Sequence, residues 1–167
     1  LPRLHANLFF KTTREEFDRE VASLKTRVAE MADHEVVTGL MRLAALPGDA
    51  HTAISPFNYA GFRRLPIRVR FLADGLTVTS AAAGAESLLG GRITGIGDLD
   101  VGVAIEKVAS VVSRDNEAWL RAVGPNYLVI PEILHARGVI TSADRVRLRV
   151  AMPDGALASA ELSAVIS

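Results

Sequence analysis

The spacing of apolar residues changes near residue 65, and that change limits what the chain can fold into. Up to residue 46 they recur every third or fourth position; from Ile67 they alternate with arginine. The first pattern belongs to one face of a helix and the second to a half-buried strand. Helices followed by strands place the chain in the α+β class.

The helical part reads as two elements. Thr13 followed by Glu16 is a capping-box pattern, and Phe17, Val21, Leu24, Val28 and Met31 then share one face, so a helix is predicted over residues 12–32. Asp33 is the expected cap of a second helix running to Leu46, with Val36, Val37, Leu40, Met41 and Ala44 inward. Pro47-Gly48 stops it, because proline disfavours helix in the residue before it and glycine turns freely. So short a connection predicts an antiparallel hairpin of helices.

The second half is built from short strands. Ile67, Val69 and Phe71 alternate with Arg68 and Arg70, Asp74-Gly75 turns the chain, and Leu76–Thr79 returns as the hairpin partner. Residues 92–96 read as a strand and 101–112 as a helix with Val101, Ile105, Val108 and Val112 on one stripe. Residues 116–123 and 131–137 read as short helices. Residues 145–150 and 157–165 read as strands joined at Asp154-Gly155. The expected division is 1–61 for the helical region and 62–167 for the strand domain, with a helical insert over 113–140.

Composition excludes several functions. The chain has 167 residues, of which 49% are apolar and 23% charged, enough for a packed core. Its formal net charge is zero, which argues against nucleic-acid and anionic-membrane partners, both of which need excess Lys and Arg. There is no cysteine, so disulfides, thiol nucleophiles and cysteine-ligated zinc are excluded. No apolar run approaches the ~20 residues of a membrane span; the longest candidate, residues 36–46, is interrupted by Arg42. The opening Leu1-Pro2-Arg3 carries no signal-peptide pattern.

Catalytic motifs are mostly missing. There is no G-x-S-x-G elbow, P-loop or H-E-x-x-H helix. Gly95-Ile96-Gly97 opens like a dinucleotide fingerprint, but Asp100 stands where the third glycine belongs. Glu132 and His135 have the i, i+3 spacing of a carboxylate-bridged metal site, yet the second copy such a site needs is missing. No cofactor or metal is therefore expected. His34 reads as exposed beside a helix cap, and His5 as having nothing to position it. Arg68, Arg70, Arg145, Arg147 and Arg149 fall on outward strand faces, where they form a basic stripe if the strands adjoin and otherwise protect edges.

His51 is the strongest site candidate. It lies in Gly48-Asp49-Ala50-His51-Thr52, directly after a helix stop, where Asp49 or a backbone carbonyl can fix its tautomer. Spacing alone favours a capping or bridging role for His51 and Thr52 over a catalytic one.

Several segments in order shift that balance. They are His5–Phe10, Glu16-Phe17-Asp18, GDAHT at 48–52, Leu65-Pro66, the hairpin at 74–78, LGGRI at 89–93, RDNEAW at 114–119, Tyr127-Leu128 and Pro131–Leu134. This order resembles the N-terminal part of bacterial serine peptidases related to the tail-specific (C-terminal processing) proteases and the tricorn core. The resemblance implies a helical region, a PDZ-like domain and then an α/β domain holding the serine. It implies that His51 is the general base of a tricorn-like member; in a processing-type member, which uses a serine–lysine pair, His51 is structural. It also implies that the nucleophile lies beyond Ser167, so that this chain alone is inert, and that the setting is periplasmic or secreted in bacteria. Ile96–Asp100 departs from the I-N-G turn of the pattern.

A PDZ-like domain takes an extended peptide as an added strand between a sheet edge and a helix. The candidate edge is Leu76–Thr79 and the candidate helix Val101–Val112; Trp119 and Tyr127, in the insert, are either docking or core residues. Three functions follow: the substrate-guiding portion of a serine peptidase that supplies His51 and joins the catalytic domain, a non-catalytic peptide-binding module, or a purely structural fragment.

Overall fold

The computed structural model describes His5 and residues 7–165. The opening Leu1-Pro2-Arg3 and the closing Ser167 lie outside them.

The first helix, α1 (Arg14–Arg27), starts as its sequence dictates. Glu16 N–H donates to the Thr13 hydroxyl at 3.1 Å, and Thr13 N–H donates to the Glu16 carboxylate at 2.9 Å. The second, α2 (Asp33–Ala45), begins one residue earlier than expected. Its cap is Ala32, whose N–H donates to Glu35 at 2.9 Å, and Asp33 is the first helical residue. Half a capping box is present: the Glu35 carboxylate takes the Ala32 N–H, and the Glu35 N–H, for which alanine has no side-chain acceptor, donates to the Ala32 carbonyl at 2.9 Å. Glu20 pairs with Arg42 at 2.7 Å and Leu24 lies against Gly39, so the helices run antiparallel. The inward face of α2 carries Thr38, Met41 and Ala44, while Leu40, expected inside, is 42% exposed. The face is set by what α2 packs on, which includes a helix, Pro131–Ala136, from the second half of the chain.

The strands form one six-stranded antiparallel sheet. Strands β1 (Ile67–Leu72), β2 (Gly75–Ala81), β3 (Arg92–Ile96), β5 (Arg145–Ala151) and β6 (Leu157–Ser163) lie side by side in that order; the two-residue β4 (Leu99–Asp100) pairs off β3. Arg64 and Val165 exchange backbone hydrogen bonds of 3.0 and 2.7 Å, so the two outer strands meet at one end and the sheet curls. Helix α3 (Val101–Ala109) packs on β3 and β4. The insert then supplies α4 (Glu117–Val123), a tight turn of helix (Gly124–Asn126) and α5 (Pro131–Ala136). The observed architecture is the α+β class expected.

One continuous core runs through the molecule. Ile93, Ile96, Val146, Leu148 and Val150 line the inner face of the sheet; Ala104 and Val108 come from α3, Ile130, Ile133 and Leu134 from the insert, and Met41 from α2. Helix α2 reaches this core by packing on α5.

The fingerprint-like glycines have structural reasons. Gly97 turns β3 into β4 with φ +59°, and a Cβ at Gly95 would run into the Arg149 guanidinium.

Candidate functional site

Immediately after α2 the chain makes the turn that carries His51. Gly48 takes φ +67°, and a side chain there would collide with the stem of Lys11. Asp49 then organises the turn. Its carboxylate accepts the His51 backbone N–H at 2.9 Å, the Thr52 hydroxyl at 2.8 Å and His5 Nε2 at 3.2 Å. Thr52 N–H also donates to the Asp49 carbonyl at 3.2 Å. Donors crowding a carboxylate favour its charged form, so Asp49 is pushed down to about 2, chiefly by the His51 N–H and then by the Thr52 hydroxyl.

The two histidines sit differently on that carboxylate. His5 Nδ1 accepts the Asn7 N–H at 3.0 Å, which leaves Nε2 as the donor to Asp49. His5 is therefore positioned, contrary to the sequence expectation, by a partner 44 residues away. His51 Nδ1 stands 3.4 Å from Asp49 Oδ1, and its side chain is 94% exposed. A carboxylate on the Nδ1 side leaves Nε2 free to take a proton, the arrangement a general base needs.

The turn is tied to the insert. Ala50 N–H donates to the Asp115 carboxylate at 3.0 Å, and Lys11 Nζ donates to the Asp115 carbonyl at 2.8 Å. The GDAHT and RDNEAW segments, 65 positions apart at this contact, thus meet in space.

The remaining candidates fall elsewhere. Glu132 is buried and accepts Arg63 Nε at 2.6 Å and the Arg63 N–H at 3.1 Å; this partner holds the Arg63 guanidinium charged beyond its ordinary range. His135 Nδ1 lies 3.0 Å from His34 Nε2, which joins α5 to α2. His34 is half-buried rather than exposed, because α5 covers it. Glu132 and His135 thus have separate partners, and among the described residues no group of three or more His, Asp or Glu can hold a metal ion.

The arginines do not form one stripe. β1 and β5 are separated by β2 and β3. Arg145 pairs with Glu161 at 3.7 Å, Arg147 with Asp98, and Arg149 with Asp100 at 3.5 Å, so the β5 charges are neutralised locally.

The expected peptide groove is corrected in two respects. Leu76–Thr79 lies in β2, an interior strand between β1 and β3, so it offers no edge. The outer strands are β1 and β6, and the insert fills the space between β1 and α3. The turn Gly124–Asn126 packs on both elements, and Leu65 N–H donates to the Val129 carbonyl at 2.8 Å. Tyr127, Leu128, Val129 and Ile130 are all buried, and burial raises the Tyr127 hydroxyl above its ordinary range. Tyr127 is therefore a core residue, whereas Trp119 is 45% exposed. Arg121 lies over the Phe71 ring at 4.9 Å and fastens α4 to β1.

No protein-family model matches the chain, and no curated protein matches it. Solved structures do. Mature CPAF in complex with lactacystin superposes with a TM-score of 0.63 at 12% identity over 88% of this chain. A point mutant of CPAF superposes with a TM-score of 0.62 at 13% identity over 90%. CPAF is a chlamydial serine protease resembling the tail-specific proteases. The chain spans 28% of the length of either structure, and likeness at this identity shows a shared fold. Among the described residues no helix is long and apolar enough to cross a membrane.

Proposed function

We propose that this chain is the N-terminal and PDZ-like portion of a serine-type peptidase and supplies the general base, His51. The observation that carries the reading is the Asp49 turn. It holds one imidazole in the open, with a carboxylate 3.4 Å from Nδ1 and Nε2 unhindered, on a fold shared with part of a serine protease. A surface histidine with a carboxylate beside Nδ1 does nothing for the fold's core, but it is what a nucleophile brought from another domain requires.

In the proposed step a serine hydroxyl from the catalytic domain approaches Nε2. Its oxygen attacks the peptide carbonyl while its proton passes to the imidazole. The charge that develops on the ring is met by the ionised Asp49, which stays anionic at neutral pH because its pKa is about 2. Docking of the catalytic domain would exclude water and strengthen this pair. A protein or peptide substrate and the catalytic domain are the partners of this reading. The closed space between β1 and α3 favours it over a free-standing peptide-binding module, since that route is filled by the chain's own side chains.

The test is fluorophosphonate labelling of the full-length peptidase with and without His51→Ala. Labelling lost in the variant supports the reading. Labelling that survives leaves a peptidase whose base lies elsewhere, and no labelling of the wild type, with a control peptidase reacting, removes the peptidase.

A further inference from the structure

We infer that Asp115 is a positioning residue for His51. Its carboxylate holds the turn by the backbone N–H just ahead of the histidine and thereby fixes the imidazole to the helical insert. The inference rests on the reading of His51 as the base, but its structural content stands or falls separately.

The ring of His51 has almost no packing of its own, so its position is inherited from the backbone of residues 49–51. The bonds made by Asp49 shape the turn without anchoring it. They go to His51, to Thr52 and to His5 in the N-terminal segment. Beyond its continuity with α2, the turn is tied to the rest of the described structure by Asp115, which uses two separate groups. The carboxylate accepts from Ala50 N–H at 3.0 Å and the carbonyl accepts from Lys11 Nζ at 2.8 Å, while the Lys11 stem lies over Gly48.

Asp115 can act as an anchor because its own neighbours are fixed. Arg114 Nη1 donates to the Ala109 carbonyl at the end of α3 at 2.5 Å. Asn116 caps α4 by accepting the Trp119 N–H at 2.8 Å. Helix α4 packs on β1, with Leu120 buried beneath it. A chain of contacts thus runs from the sheet through the insert to the amide that precedes His51. The N–H to carboxylate bond is charge-assisted and directional, so it sets an angle as well as a distance. A base displaced by about 1 Å from its nucleophile loses on the order of a hundredfold in rate.

The carboxylate can be isolated by substitution. Asp115→Ala removes the Ala50 contact and keeps the carbonyl bond to Lys11. Asp115→Asn keeps an acceptor oxygen at the same place. Two-dimensional NMR of this chain should show Ala50 amide exchange faster by about tenfold or more in D115A, in line with the loss of one charge-assisted bond. The His51 ring protons should shift with it, and D115N should restore both, with the melting temperature unchanged throughout. In the full-length peptidase D115A should lower kcat and leave KM unchanged. Unchanged Ala50 exchange in D115A, or a D115N variant as disturbed as D115A, would overturn the assignment. Loss of the base reading would appear instead as fluorophosphonate labelling that survives His51→Ala while the NMR effects of D115A remain.

Discussion

The space between β1 and α3 and the turn at residues 48–52 present opposite solutions to holding a segment of chain. The first is closed with apolar side chains, from Leu120 to Ile130, which are buried in the common core. The second buries little, and two carboxylates, Asp49 and Asp115, hold it through backbone N–H groups and the Thr52 hydroxyl. A fold resemblance directs attention to the first region, where a PDZ-like domain takes its peptide. The chemistry points to the second, where a titratable ring is aimed outward. Function belongs to the site rather than to the fold that carries it.

The comparison breaks most visibly if the turn is removed altogether. Residues 62–167 expressed alone should still unfold cooperatively, with a stability lower by at least the ~2–5 kcal/mol of a large core deletion, because Met41 leaves with α2. Calorimetry checks this; a gradual melt would dissolve the boundary placed near residues 61–65. Next in size is Ile130→Ala, which empties a fully buried site in the insert and should cost about 2–5 kcal/mol by urea denaturation. A cost below ~1 kcal/mol, outside the range for a packed core position, would mean the filler is loose and an incoming peptide could displace it.

Acid separates the two regions more gently. The folded-state value of Asp49 is depressed, so its contribution is fully present above the ordinary carboxylate range and is lost as pH falls toward about 2. The His51 and Thr52 amide signals should therefore persist at pH 4 and move toward random-coil positions below pH 3, where Asp49→Asn should show no such transition. The smallest effect is the most pointed. His51→Ala should leave the melting temperature of this chain unchanged, since the ring is 94% exposed. A clear drop would make His51 a structural residue.

Much of this was legible in advance. The two N-terminal helices, the β1–β2 hairpin, and strands β3, β5 and β6 follow from periodicity and turn residues, because each is decided by neighbours within a few positions; the first helix, expected over 12–32, ends at Arg27, and Val28–Glu30 form a tighter turn. The three-residue helical turns and β4 were not legible, since so short a segment has no period. The Gly48–Thr52 turn was recognisable as a unit, but its partners were not. His5 and Asp115 reach it from 44 and 65 positions away, and no local pattern encodes such a meeting. His34 reads as exposed in the sequence for the same reason, its partner His135 lying 101 positions on.

By itself, then, the sequence determined the α+β class, the order of its main elements and the polar turn that carries His51, because local sterics and apolar spacing govern these. Tertiary structure alone decided which face of α2 is buried, that Leu76–Thr79 is an interior strand, and that the insert fills the space beside β1. It also decided that Asp115 meets Ala50. Each of these depends on which distant surfaces come together to bury the same apolar area, and strand order and helix docking are solved only by the whole chain at once.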